Sequence, residues 1–142
     1  MRIDHHDYFM TIAQVVALRS TCLRARVGAV MVHENRILST GYNGAPCGFP
    51  HCTPNTCNPQ IDHCRATVHA EMNAIVNAAR HGTALKDATL YCTHPVCEAC
   101  ARVLINLGIR AVYLGSGSYD QGGIDLLRTA GIPVFHKATH QS

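Results

Sequence analysis

Two short segments of this chain carry residues suited to hydrolytic chemistry at a metal ion: His69-Ala70-Glu71 and Cys97-Glu98-Ala99-Cys100. Cysteines three apart at the start of a helix project to one side and can hold one ion. The unpaired amides of a helix N-terminus also favour thiolate over thiol. His69, Cys97 and Cys100 together supply three ligands. Tetrahedral zinc then keeps one position open, the pattern of catalytic rather than closed structural sites, and water there is acidified to a pKa of about 7. Glu71, two residues from a ligand, is placed to take that water's proton and pass it on. Taken singly, His69 reads as a helix-surface histidine and Glu71 as a solvated acid. Cys97 and Cys100 alone could be a redox pair or half of a structural zinc site. Their joint occurrence points to one catalytic centre.

These residues must be presented by helix starts, and the pattern around them supplies such starts. Residues 69–81 are alanine-rich and helical, with Gly82 placed to end the run,. Residues 97–107 read as a second helix, stopped by Gly108,. Upstream, Tyr8, Phe9, Ile12, Val15, Val16 and Arg19 recur at helical spacing over about residues 7–20, and Cys22 is read as closing that helix,. Val27–Val32 and Ile37–Tyr42, separated by His33–Arg36, look like a hairpin,. Strands follow over 88–92, 110–114 and 132–135, with a short helix over 122–130. A hairpin followed by alternating helices and strands predicts a mixed sheet with helices on both faces. No repeat or linker interrupts the 142 residues, which read as a single domain, 1–142,.

Composition limits the alternatives. Apolar residues make up 47% of the chain, enough for one core, and charged residues only 15%, which argues against disorder or a coiled coil,. The net charge of +3 is mild, and the basic residues are scattered. A nucleic-acid binder would show a basic stripe, so no nucleic-acid partner is expected, whereas a small anionic substrate is compatible. No apolar run approaches a membrane span, and the first residues, Met1 to Asp7, are polar and do not read as a signal peptide,. The expected compartment is the cytoplasm, where disulfides are rare. The eight cysteines are therefore read first as ligands or core residues,.

H-x-E followed by P-C-x-x-C is the established signature of zinc deaminases, in which the glutamate is the acid/base and not a ligand. This chain departs from it once. The order is His94-Pro95-Val96-Cys97, so the proline lies one place early, in a turn expected to wall the pocket near the substrate's amino group. Beyond this pair the chain resembles the deoxycytidylate deaminase family along nearly all its length. The resemblance is carried by Arg26 to Val30, Gly41-Tyr42-Asn43-Gly44-Ala45-Pro46-Cys47-Gly48, His63 to Ile75, and Tyr119. The Gly41–Gly48 stretch discriminates best among zinc deaminases. The resemblance implies an α/β fold, a three-layer α/β/α sandwich with a central mixed five-stranded sheet of the cytidine-deaminase type. It implies hydrolysis of dCMP to dUMP and ammonia, feeding dTMP synthesis, in a homo-oligomer that is usually a hexamer, with dCTP and dTTP plus magnesium as effectors.

The resemblance also gives three residues a substrate role. Asn43 is the family position that binds the deoxyribose, Arg26 is a candidate for the phosphate, and Tyr119 a candidate for closing over the nucleotide. Read from the residues alone, Arg26 could be a solvated side chain, Tyr119 loop packing, and Asn43 a turn residue tolerating left-handed backbone.

From Asn43 to about Thr67 the sequence has no period and is crowded with cysteine, proline and glycine. A loop this long in a compact domain is usually functional or tied down. In similar family members a second zinc pins this loop, with cysteines at the positions of Cys22 and Cys52 among its ligands. The set assigned here is Cys22, Cys52, Cys57 and Cys64, with His63 as substitute for Cys64. Four ligands suit a closed structural zinc, and buried free thiols are the alternative. Cys47 and Cys92 read as ordinary core or pocket-edge thiols. Two competing functions remain. One is a deaminase on the same core acting on dCTP, deoxycytidine or a modified cytosine nucleotide. The other is a structural zinc module for protein contacts, against which Glu71 beside an open site speaks.

Overall fold

The computed structural model describes residues 1–22, 24–53, 67–116 and 121–137. Asp4 opens the first element. Its side chain accepts from the N–H groups of His6 and Asp7, at 2.9 and 3.3 Å, and caps α1 (His5–Ala17),. The periodicity predicts this helix over 7–20, so the cap moves its start upstream. Its end is also earlier: the N–H groups of Leu18, Arg19 and Ser20 bond to the carbonyls three residues back, tightening the last turn,. Cys22 therefore lies beyond the helix rather than closing it.

β1 (Gly28–His33) and β2 (Arg36–Tyr42) form the predicted hairpin. Glu34 and Asn35 both have positive φ, 50° and 62°, as a two-residue turn between twisted strands requires,. β1 is buried along nearly its whole length, because it is central: it pairs antiparallel with β2 on one side and β3 (Thr89–Cys92) on the other. β4 (Ala111–Leu114) and β5 (Val134–His136) continue the sheet in parallel with β3, giving the order β2-β1-β3-β4-β5. The last strand starts two residues later than the pattern predicts. Pro133 has no N–H to give, and joins the sheet only through its carbonyl, which accepts from Val112 at 3.0 Å,.

The helices divide unequally between the two faces. Phe9, Met10 and Ala13 of α1 pack on Val30, Val32 and Tyr91. α2 (Ala70–Arg80), α3 (Glu98–Leu107) and α4 (Gln121–Thr129) bury Ala74, Leu104 and Leu127 with Leu90, Cys92, Val112 and Leu114 on the other face. The result is the three-layer arrangement around a mixed five-stranded sheet. α1 approaches β1 at Gly28, where an added Cβ would overlap the Ala13 carbonyl and the Ala17 amide. α2 is tied to the edge strand β2 by two side chains, Asn73 Nδ2 donating to the Tyr42 carbonyl and Asn77 Nδ2 to that of Thr40, each at 2.8 Å. Gly44 and Val68 form an isolated bridge, exchanging two hydrogen bonds of 3.2 and 2.8 Å. No helix among the described residues is long and apolar enough to cross a membrane.

Candidate metal centre and active site

Both motif segments sit at helix starts. His69 is the N-cap residue of α2 and Cys97 that of α3, so each lies one residue outside the helix the pattern predicts it to open, while Cys100 stands in the first turn of α3. At an N-cap the backbone is extended, which turns the side chain out over the free amides of the first turn. The Cys100 N–H accordingly donates to Cys97 Sγ at 3.4 Å. Gly108, at φ 82°, ends α3 in the left-handed conformation and returns the chain to β4,.

His69 Nδ1 lies 3.4 Å from Cys97 Sγ and 3.5 Å from Cys100 Sγ. Zinc–nitrogen and zinc–sulfur bonds of about 2.0 and 2.3 Å set at tetrahedral angles put N and S about 3.6 Å apart. The three donors thus have the separations of three corners of a zinc site. Among the described residues they form the one group of three potential ligands whose donor atoms lie within 4.8 Å of one another. The Cys100 thiol, then His69 and the Cys100 amide, hold Cys97 down to about 3. The same contact with Cys97, with burial, pushes Cys100 up. Both sulfurs would hold a cation as thiolates, so metal binding would displace thiol protons.

Glu71, on the first turn of α2, is 4% exposed. Burial pushes its carboxyl up from the ordinary value, opposed by its own backbone N–H and by His69,. An acid held this way keeps its proton more readily than an exposed glutamate, which suits a group that must carry one. Its Oε1 accepts from Cys92 Sγ at 3.7 Å. Sequence reasoning read Cys92 as an ordinary core or pocket-edge thiol and did not name this contact. Strand alternation puts Leu90 and Cys92 on the α2 side of β3, but it does not reveal which side chain on α2 reaches them.

The segment after β3 is pinned to β1. Thr93 N–H donates to the Gly28 carbonyl at 3.0 Å, and Gly28 N–H to Thr93 Oγ1 at 3.1 Å. Pro95 is followed by Val96, which is fully buried and whose carbonyl packs directly on Gly123 of α4. The displaced proline thus leaves a core valine immediately before the first thiolate.

Asn43 is 7% exposed. Its Oδ1 accepts from the Val27 N–H at 2.8 Å and its Nδ2 donates to the Ala25 carbonyl at 2.7 Å, so it fastens the segment before β1. It does not have positive φ, so the left-handed alternative is not adopted. Arg26 is exposed and makes no hydrogen bond or ion pair among the described residues. Cys22 and Cys52 are buried free thiols. Cys57, His63, Cys64 and Tyr119 lie outside the described residues.

The five-stranded mixed sheet thus carries, at two helix starts, a His/Cys/Cys cluster that can hold a metal ion and a buried carboxyl beside it. Residues 3–116 match the family model described as the cytidine and deoxycytidylate deaminase zinc-binding region. The chain belongs to the cytidine and deoxycytidylate deaminase family and carries its zinc-binding domain. It is 43% identical over 112 residues to ComE operon protein 2 of Bacillus subtilis, spanning 79% of this chain and 59% of that protein. It is 40% identical over 127 residues to the deoxycytidylate deaminase of Mycobacterium phage D29, spanning 79% and 95% respectively. The dCMP deaminase of cyanophage S-TIM5, solved in complex with dCMP and dUMP, superposes with a TM-score of 0.85 at 30% identity, over 96% of this chain and 99% of that one. Against ComE operon protein 2 and the two yeast deoxycytidylate deaminases, the chain spans only about half of each relative's length, 59%, 42% and 45%.

Proposed function

We propose that this chain hydrolyses the 4-amino group of dCMP, giving dUMP and ammonia. The observation that carries the reading is the His69/Cys97/Cys100 cluster with the Glu71 carboxyl buried beside it. The likeness to the S-TIM5 dCMP deaminase supports the substrate. His69, Cys97 and Cys100 are the residues that would hold zinc. When bound, zinc supplies Lewis acidity, lowering the pKa of water in its open position to about 7. Glu71 then takes the water's proton and delivers it to the pyrimidine ring nitrogen. The C4–O bond forms as the ring accepts the electron pair. Glu71 next takes the remaining proton from the new C4 hydroxyl and hands it to the amine, the C4–N bond breaks as the C4 carbonyl forms, and ammonia leaves. Burial of Glu71 keeps bulk water from competing for that proton.

The remaining roles belong to the same reading. Arg26 takes the phosphate, its guanidinium being exposed and unengaged among the described residues. Asn43 takes the deoxyribose with the one donor and one acceptor position that its backbone contacts leave over,. Tyr119 closes over the nucleotide. Residues 1–142 act as one catalytic domain, since every described strand belongs to one sheet. Cys22, Cys52, Cys57 and Cys64 hold a second, structural zinc, with His63 the substitute for Cys64. The active form is a homo-oligomer, a hexamer by family resemblance, regulated by dCTP and dTTP with magnesium, and it works in the cytoplasm.

The test is ammonia release from cytosine, deoxycytidine, dCMP, CMP and dCTP by the zinc-loaded protein, repeated with each triphosphate present. Preference for dCMP is expected. Preference for dCTP, deoxycytidine or a modified cytosine nucleotide would move the substrate and leave the chemistry in place.

A further inference from the structure

We propose that Cys92 is a positioning residue for Glu71: its thiol donates a hydrogen bond to Oε1 and holds the carboxyl in place beside the metal cluster. The inference deepens the deaminase reading and rests on it. Glu71 extends from the first turn of α2 toward the end of β3, where the two side chains meet with Cys92 Sγ 3.7 Å from Oε1. Cys92 is fully buried and Glu71 nearly so, so no solvent molecule need be displaced for the contact to persist. Burial, then the neighbouring carboxylate, push the Cys92 thiol well up, so the sulfur keeps its proton and is the donor,.

A glutamate has three rotatable bonds. A carboxyl that must receive a proton at one atom and deliver it at another within hydrogen-bond reach loses rate when it swings. Cys92 engages the carboxyl from the sheet side. Cys92 sits at the last position of β3, paired with Ala29 of β1 and Leu114 of β4. The thiol is thus mounted on a strand that is hydrogen-bonded on both sides. An apolar side chain of similar size would fill the same space, but it would leave Oε1 without this donor.

The test compares Cys92→Ala, Cys92→Val and Cys92→Ser as zinc-loaded proteins. Loss of one hydrogen bond from a thiol donor predicts kcat lower by roughly five- to tenfold in the alanine and valine variants, with KM within about twofold and zinc content unchanged. Serine, which keeps a donor, should stay within about threefold of the native rate. A space-filling role would give the opposite pattern, with valine best and serine worst. A second readout needs no turnover. The infrared S–H stretch of Cys92, identified by its loss in Cys92→Ala, should shift in Glu71→Gln. An unmoved band, or native kcat in the alanine and valine variants, overturns the proposal. A native protein inactive on all cytosine compounds would instead remove the deaminase reading, and the band would still decide the Cys92–Glu71 contact.

Discussion

Gly41 of β2 lies flat against Ala70 of α2, with no room between strand and helix for a methyl group: an added Cβ would overlap the Ala70 carbonyl and the Ala74 amide. Ala70 separates His69 from Glu71, so this contact fixes the height of both above the sheet. Gly41→Ala is expected to push α2 outward. Overpacking of this kind costs about 1–3 kcal/mol, several degrees of Tm in a domain of this size. Thermal melts and zinc content measured on the same preparation check it. A variant with native Tm and full metal would show that the helix can shift without consequence.

Glu71→Gln should retain zinc and fold while turnover falls by at least a hundredfold, the ordinary contribution of a positioned proton carrier. Glutamine fills the same volume but cannot exchange a proton. Metal analysis and steady-state rates are the measurements. Zinc lost together with activity would mean that Glu71 is needed to build the site.

About two zinc ions per chain are expected, with Cys52→Ser and Cys57→Ser each losing one of them and much stability. Cys52 is buried, as is Cys22, in a part of the chain rich in further thiols. One zinc per chain in fully active protein would leave these thiols without a metal role.

Arg26→Ala should lower kcat/KM for dCMP by roughly ten- to a hundredfold, the worth of one charge-assisted contact of ~1.5–3 kcal/mol. The slower reaction of deoxycytidine should be nearly unchanged, because it has no phosphate to lose. The ratio of the two efficiencies before and after substitution is the quantity to compare. An unchanged ratio clears Arg26 of the phosphate role and leaves the family assignment standing.

His6 gives stability a dependence on acid. Its Nδ1 meets the Tyr91 hydroxyl at 2.7 Å, its Nε2 meets that of Tyr113 at 3.2 Å, and its ring stacks on Tyr113 at 4.3 Å. Burial, then His5, lower its pKa, with Lys137 acting in the same sense and Asp4 and Asp7 opposing. The unfolded chain therefore takes up this proton first, at about pH 6.5. Stability is full above that value and falls as pH drops toward the folded pKa. Tm followed over about pH 5–8 should decline less steeply in His6→Gln than in the native protein. Parallel slopes would assign the acid sensitivity elsewhere.

The elements carrying chemistry were legible because each has a local cause. Gly108 stops α3 by adopting positive φ, and the two motif segments announce helix starts by their spacing. The end of α1 was not legible. The helical spacing runs on to Arg19, while the helix tightens and stops at Ala17. Tertiary partners were equally hidden. Nothing local to Asn43 says that its side chain fastens Val27 and Ala25, and nothing local to Cys92 names Glu71. Such contacts join residues that only the folded sheet brings together. The expectations for Cys57, Cys64, His63 and Tyr119 fall outside the described residues.

The bridge between Gly44 and Val68 makes a neck that holds together the two ends of the stretch between them. The second side of that neck is the residue next to His69. Doubling the length of a closed loop costs only about 0.6 kcal/mol, so the neck separates what the loop contains from where the first ligand stands. Insertions between the two bridge partners that spare the loop's thiols would thus leave His69 in register with Cys97 and Cys100.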